Sequence, residues 1–194
     1  PDYVIDGNVV FDPQHQGRNV NLDAKPMAYV NMYKQTEYMF NAIEPKIPLE
    51  YLSAHQVRKS CPMIYKIVFH MLGNGEQEFS HFINWLAFIY QNRKKSETSW
   101  ILSGVQGTGK GVFANKILKP LFGTEHAPMK SLENIEEQYN LYMRTALFLV
   151  VDEFRMADSG SVGRMADKLK HQITEPNLTI RAMRTNQIEL PSFT

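Results

Sequence analysis

The chain has 194 residues, 43% hydrophobic and 21% charged, with 21 Lys+Arg against 20 Asp+Glu for a net charge of +1. That length holds one large domain or two small ones, and the composition excludes wholesale disorder, collagen-like repeats and coiled coil. Balanced charge excludes a bulk electrostatic grip on nucleic acid, although a local basic patch remains compatible with it.

The single cysteine, Cys61, has no internal partner, and no Cys/His cluster has zinc spacing. A reducing, cytoplasmic setting is expected. No apolar run approaches the ~20 residues of a membrane span. A start at Pro1 without Met or signal pattern, and an end at Thr194, are expected of a piece of a longer chain.

In chain order, Tyr3-Val4-Ile5, Asp6-Gly7-Asn8 and Val9-Val10-Phe11 read as a β-hairpin, since Asp-Gly and Gly-Asn supply the positive φ of tight hairpin turns. Residues 25–50, punctuated by Pro26, Pro45 and Pro48, give no firm pattern. Ser60 is placed to cap a helix and Pro62 to sit in its first turn. Met63, Ile64, Ile67, Val68, Met71 and Leu72 form its apolar stripe, and Gly73-Asn74-Gly75 stops it. Cys61 sits near the helix start, where a thiolate is favoured, but ordinary packing is the better reading.

Phe79, Phe82, Ile83, Leu86, Ile89 and Tyr90 recur at helical spacing and predict a second helix with a core-facing stripe. Arg93-Lys94-Lys95 closes it with charge that suits a helix C-terminus. Trp100 to Ser103 reads as a short strand, Val112 to Leu121 and Leu132 to Tyr142 as helices, and Ala146 to Val151 as a buried parallel strand. Ser161 to Ile173 is helical in pattern, and Leu178 to Met183 alternates as a strand does. Strand–helix alternation predicts an α/β sheet with helices on both faces. The expected division is residues 1–97, a small hairpin plus a mostly helical collar or linker, and residues 98–194, an α/β core. His15, His55, His70, His81, His126 and His171 have no ligand spacing and read as surface or core residues.

The strongest signal is Gly104-Val105-Gln106-Gly107-Thr108-Gly109-Lys110-Gly111, between an expected strand and an expected helix. This is the P-loop context. The glycines let the backbone curl with its N–H groups inward as an anion nest, and the helix adds its positive end. Lys110 then reaches the β- and γ-phosphates. Gly111 stands where the pattern has a Ser or Thr that ligates Mg²⁺; a water can take that coordination position.

Second, the apolar run through Val151 ends in Asp152-Glu153, the Walker B arrangement. Asp152 would hold Mg²⁺, and Glu153 would orient and deprotonate the attacking water. The interval from Lys110 has room for a helix, a strand, a further helix and the return. The acidic pair favours ATPases of the additional-strand type over kinases, for which no Arg-rich lid is found.

Third, Leu169-Lys170 through Thr174 is followed by a basic hairpin whose alternation puts Arg181 with Met183 and whose tip, Thr185-Asn186-Gln187, lies beside Arg184. Such a tip grips phosphates without reading sequence, with Lys170, Arg181 and Arg184 as the expected DNA contacts; a surface hairpin with solvated arginines fits the pattern equally.

Together these motifs resemble superfamily 3 helicases, specifically the phage and plasmid primase-helicases with a poxvirus-type ATPase. The likeness is strong over about residues 80–194, including Asn84-Trp85-Leu86-Ala87, and weak before them, at Val10-Phe11-Asp12-Pro13. It implies a P-loop core of AAA+-like, additional-strand type, dependence on ATP and Mg²⁺, a homo-hexameric ring with an arginine finger acting in trans, and DNA unwinding in replication by ATP-driven translocation on single-stranded DNA. In such proteins a primase or primase-polymerase domain often precedes this region. By position, Lys110 matches the Walker A lysine and Asp152 and Glu153 match Walker B. Lys170 matches the lysine opening the next motif, and Arg184 stands where the family usually has a hairpin lysine. The sensor strand is expected after Thr194, and no finger is assigned among Arg144, Arg155 and Arg164. A nucleotide-binding oligomerisation module with little hydrolysis, and a P-loop kinase, are the alternatives.

Overall fold

The computed structural model describes residues 9–21, 28–41, 53–152, 159–184 and 186–194. It is mixed α/β, with three small sheets among the described residues where one larger sheet was expected. The first contains β1 (Val9–Val10), β2 (Asn19–Asn21) and β3 (Ala28–Asn31) in the order β1-β3-β2. β1 runs parallel to β3 and β2 antiparallel to it. The expected hairpin has its Tyr3–Ile5 arm and its turn outside the described residues; its other arm, Val9–Val10, pairs in parallel with Val30 and Asn31. Buried Asn31 is the rivet of this sheet. Its amide donates to Asp12 O (2.8 Å) and His15 O (3.1 Å), and its Oδ1 accepts from the N–H of Asp12 (3.0 Å) and of Tyr33 (3.1 Å).

After the short α1 (Glu37–Phe40) come α2 (Ala54–Ser60), α3 (Pro62–Met71) and α4 (Glu76–Asn92). Ser53 and Gln56 form a capping box that starts α2. Ser60 is the last residue of α2 and does not cap α3; that position falls to Cys61, whose N–H closes α2 on Val57 O (2.7 Å). Pro62 occupies the first turn of α3 as expected. Gly73 and Asn74, both at positive φ, stop α3, and Arg93 at φ 51° ends α4.

The stripe of α4 (Phe79, Phe82, Leu86 and Ile89) is buried. It packs in one hydrophobic cluster with Phe113, Ile117, Leu118, Phe122 and Leu147. That cluster draws from both sides of residue 97. Its edges are aromatic: Phe82 meets Trp100 at 5.1 Å and Phe113 at 5.4 Å, and Phe122 meets Tyr90 at 5.6 Å and Phe148 at 5.4 Å. Phe122 is fully enclosed. Phe122→Ala is therefore expected to lower unfolding stability by about 3–5 kcal/mol, read from chemical denaturation, because the ring leaves a cavity among fixed neighbours. A loss under about 1 kcal/mol would show that these rings repack freely.

The helical run beginning at Lys110 is wound in three pieces: α5 (Lys110–Val112), a π-helical stretch (Phe113–Leu118) and α6 (Lys119–Phe122). Pro120 accounts for the change of winding, since a proline removes one ladder donor and its ring crowds the carbonyl four residues back. Next come β4 (Met129–Ser131), α7 (Leu132–Glu136), a 3₁₀ turn (Leu141–Thr145) and β5 (Val150–Asp152), with β4 and β5 parallel. The expected helix over 132–142 is thus split in two. Only the end of the expected 146–151 strand pairs, although Ala146 and Leu147 are buried as anticipated. Trp100 to Ser103 joins no strand among the described residues. Trp100 and Leu102 pack on the core while Ile101 is 89% exposed, so the alternation survives without a ladder. α8 (Ser159–Thr174) leads into the antiparallel pair β6 (Asn177–Ile180) and β7 (Ile188–Pro191).

His126 fastens the first sheet to the later part of the chain. It is 1% exposed, its Nδ1 lies 2.8 Å from Thr145 O, and its Nε2 accepts the Lys34 N–H at 3.2 Å. Those bonds require the neutral ring with its proton on Nδ1. Burial holds its pKa below the usual 6.5, opposed by the hydrogen bond to Thr145. The unfolded chain then takes up the proton first as pH falls, so this contribution is complete above 6.5 and lost below it. Melting temperatures measured at about pH 7.5 and about pH 5.5 should fall with acidification, and less so in His126→Gln. Equal losses in the two proteins would place the titration elsewhere.

Candidate nucleotide-binding loop and basic hairpin

Residues 104–111 form the start of a helix and the turn that precedes it. Gly107 (φ 91°) and Gly109 (φ 96°) occupy the left-handed region, which glycine enters without a Cβ clash. Gly109 also lies against α3, where an added Cβ would stand 3.5 Å from the Ile67 methyl. The helix then begins with Phe113 N–H on Gly109 O (2.8 Å).

Lys110 folds back over the turn. Its ammonium donates to Gly104 O (3.1 Å), Val105 O (3.1 Å) and Thr108 Oγ1 (2.9 Å), while the Thr108 hydroxyl donates to Val105 O (3.2 Å). The cation thus occupies the concave side of the loop, satisfied by three oxygens. Gln106 and Gly111 are exposed, and a Cβ on Gly111 would meet nothing within 4 Å. Nothing steric therefore demands glycine at that position. Asn115, which the sequence reading passed over, ties the loop helix together: its amide donates to Gly111 O (3.0 Å) and its Oδ1 accepts from the Lys119 ammonium (2.6 Å). The same amide reaches Met129 Sδ at 4.0 Å, which brings this helix beside β4.

Asp152 ends β5, exposed, with Ser131 as its register partner on β4. Glu153 lies outside the described residues. Among the described residues no cluster of three His, Cys, Asp or Glu side chains is arranged to hold a metal ion. A single carboxylate still fits Mg²⁺, which typically takes one or two protein oxygens and completes its octahedron with phosphate and water. Of the arginines considered for a finger, Arg144 is half-buried with its Nε enclosed, Arg155 lies outside the described residues, and the side chain of Arg164 is among those not described.

The three basic residues assigned to DNA are placed differently from one another. Arg184 sits at the turn of the β6–β7 hairpin, exposed and at φ 60°. Its neighbour Met183 is 67% exposed. Lys170 is exposed on α8. Arg181 is half-buried, its guanidinium donating to Gln138 Oε1 (2.8 Å) and its backbone N–H to Asn140 Oδ1 (2.8 Å). The Gln138 bond lies at the surface and ties the Arg181 guanidinium to the segment between β4 and β5. Neither polar partner carried a sequence signal, because each acts through a contact some forty residues away. The basic run after α4 also has structural duties. Arg93 donates to Pro13 O (3.1 Å) and lies over the Tyr33 ring, and Lys95 donates to Glu175 O (2.5 Å) at the end of α8. No helix among the described residues is long and apolar enough to cross a membrane.

Residues 102–194 match the profile of a family described as of unknown function, DUF5906. Over 165 residues, 85% of this chain, the sequence is 27% identical to a DNA primase-polymerase of Nitratiruptor phage NrS-1. The chain spans 21% of that protein's length. The apo structure of the NrS-1 C-terminal region matches with a TM-score of 0.76 at 25% identity, covering 95% of this chain and 40% of the other. An A-form apo structure of the same region gives a TM-score of 0.68 at 25% identity over 95% and 39%. In sequence and in fold, this chain is similar to part of the C-terminal region of a phage primase-polymerase.

Proposed function

We propose that residues 104–111 cradle the phosphates of ATP and that the chain is the ATPase module of a replicative DNA helicase, with a P-loop core of AAA+-like type. The observation that carries this reading is the Lys110 ammonium held inside a turn of left-handed glycines at a helix start. A phosphate entering there replaces the loop oxygens as the partner of that cation and meets the amides of the first helical turn. The parallel β4–β5 pair, which ends at Asp152, supports Asp152 as the Mg²⁺ residue, and Glu153 follows it as the general base. Bound Mg²⁺ would neutralise charge on the β- and γ-phosphates. Similarity to a segment of a phage primase-polymerase supports a place in DNA replication. The exposed hairpin tip with Arg184 supports single-stranded DNA as the partner, gripped inside a homo-hexameric ring.

The test is the rate of ATP hydrolysis against added single-stranded DNA. Stimulation of several-fold, weakening as salt rises, is expected. Gly111 favours the second reading, a nucleotide-binding oligomerisation module, because it removes a metal-ligating hydroxyl from a position with room for one. Tight Mg²⁺-ATP binding with no turnover at any DNA concentration would establish that reading in place of the first.

A further inference from the structure

We infer that Asn140 couples the basic hairpin to the nucleotide-binding end of β5, acting as a positioning residue; this rests on the nucleotide reading above. The hairpin is not built on the main core. Its inward residues, Leu178 and Ile180, form a second hydrophobic cluster with Met143 and Ala146, flanked by Tyr142, Leu149 and Leu190. Met143, Ala146, Tyr142 and Leu149 belong to the segment that joins β4 to β5, and Leu190 to β7 of the hairpin itself.

Asn140 makes the polar half of the same joint. Its side-chain amide donates to Thr179 O (2.9 Å), its Oδ1 accepts from Arg181 N–H (2.8 Å), and its own N–H donates to Arg181 O (3.1 Å). One asparagine thereby takes the place of a neighbouring strand along the exit of β6. Gln138 adds the bond to the Arg181 guanidinium.

The other end of this segment reaches the nucleotide site. Ser131 is the register partner of Asp152 and also caps α7 in a box with Asn134. The carbonyls at the far end of α7, Ile135 O and Glu137 O, accept the Lys168 ammonium of α8. From Asp152 to Arg181 the path is therefore a paired strand, a capped one-turn helix and an asparagine clamp. A shift of the β4–β5 end on binding nucleotide moves α7 and residues 137–140 together, and the hairpin follows through its joint with that segment; past β7, Phe193 packs on the main core and Thr194 Oγ1 donates to Ala146 O (2.9 Å), so the motion is expected at the turn, away from that anchor.

The test places a fluorophore at the hairpin turn, in the Cys61→Ser, Met183→Cys protein. A non-hydrolysable ATP analogue with Mg²⁺ is titrated, with fluorescence of a labelled ATP analogue giving affinity independently. The parent should bind nucleotide and change its hairpin signal. Asn140→Ala should bind with affinity within about twofold while losing most of that change, a coupling loss of about tenfold. Asn140→Asp keeps the acceptor for Arg181 but cannot donate to Thr179, so it should lose part of the response; it carries the test if the alanine protein fails to fold. A merely structural role for Asn140 would lower melting temperature without separating binding from response. Binding with an undiminished hairpin response in both variants overturns the coupling alone. Absence of nucleotide binding by the parent overturns the site reading, and the coupling with it.

Discussion

Lys110→Ala is expected to reduce ATP hydrolysis by about 100-fold or more and to abolish measurable nucleotide binding. The loop has no second cation within its ring of contacts: the oxygens of Gly104, Val105 and Thr108 all face the Lys110 ammonium. Without it, the phosphates would meet those oxygens directly, and like charges repel. The substitution should leave folding nearly intact, because Gly104 and Val105 are exposed and water replaces the lost donor. Melting temperature and binding of a fluorescent ATP analogue, read together, separate the two effects. Hydrolysis at the parent rate would show that residues 104–111 are a glycine-rich turn and nothing more.

The second large effect concerns the acidic end of β5. Glu153→Gln should keep ATP bound while slowing turnover by about 100- to 1,000-fold, because the amide fills the same space and cannot accept the proton of the attacking water. Asp152→Asn should act differently, weakening binding mainly when Mg²⁺ is present, since its lost charge faces the metal. Single-turnover hydrolysis and analogue affinity with and without Mg²⁺ distinguish these outcomes. Equal behaviour of the two variants would remove the division of labour assigned to the pair.

Much of this fold was legible because local patterns and tertiary placement agree. The stripe of α4 is buried as its spacing requires, and Gly73-Asn74 stops α3 where its positive-φ residues stand. The interval between Lys110 and Asp152 holds a helix, a strand, a second helical stretch broken into α7 and a 3₁₀ turn, and a returning strand paired at its end. Alternation from Leu178 to Met183 marked the first arm of the hairpin, of which the part up to Ile180 pairs with β7. Where expectation failed, a residue's neighbour in space outweighed its neighbours in sequence. Cys61, between two helices, took the position that Ser60 was given by residue type alone.

The sequence by itself determined the chemistry available: a glycine turn with one lysine, two acids after an apolar run, and arginines beside a tight turn. Those follow from residue type and short spacing, which fix backbone freedom and charge within a few residues. Only the tertiary structure decided which groups are held and which stand free for a partner. Arg181 and Arg184 are three residues apart and alike in sequence, yet one is clamped by Gln138 and Asn140 and the other is exposed at the turn. His126 likewise reads as an unremarkable histidine until Lys34 and Thr145 close on its two nitrogens. The reason in both cases is a polar partner distant in the chain, at the surface for Arg181 and in the core for His126, an effect that depends on the path of the whole backbone.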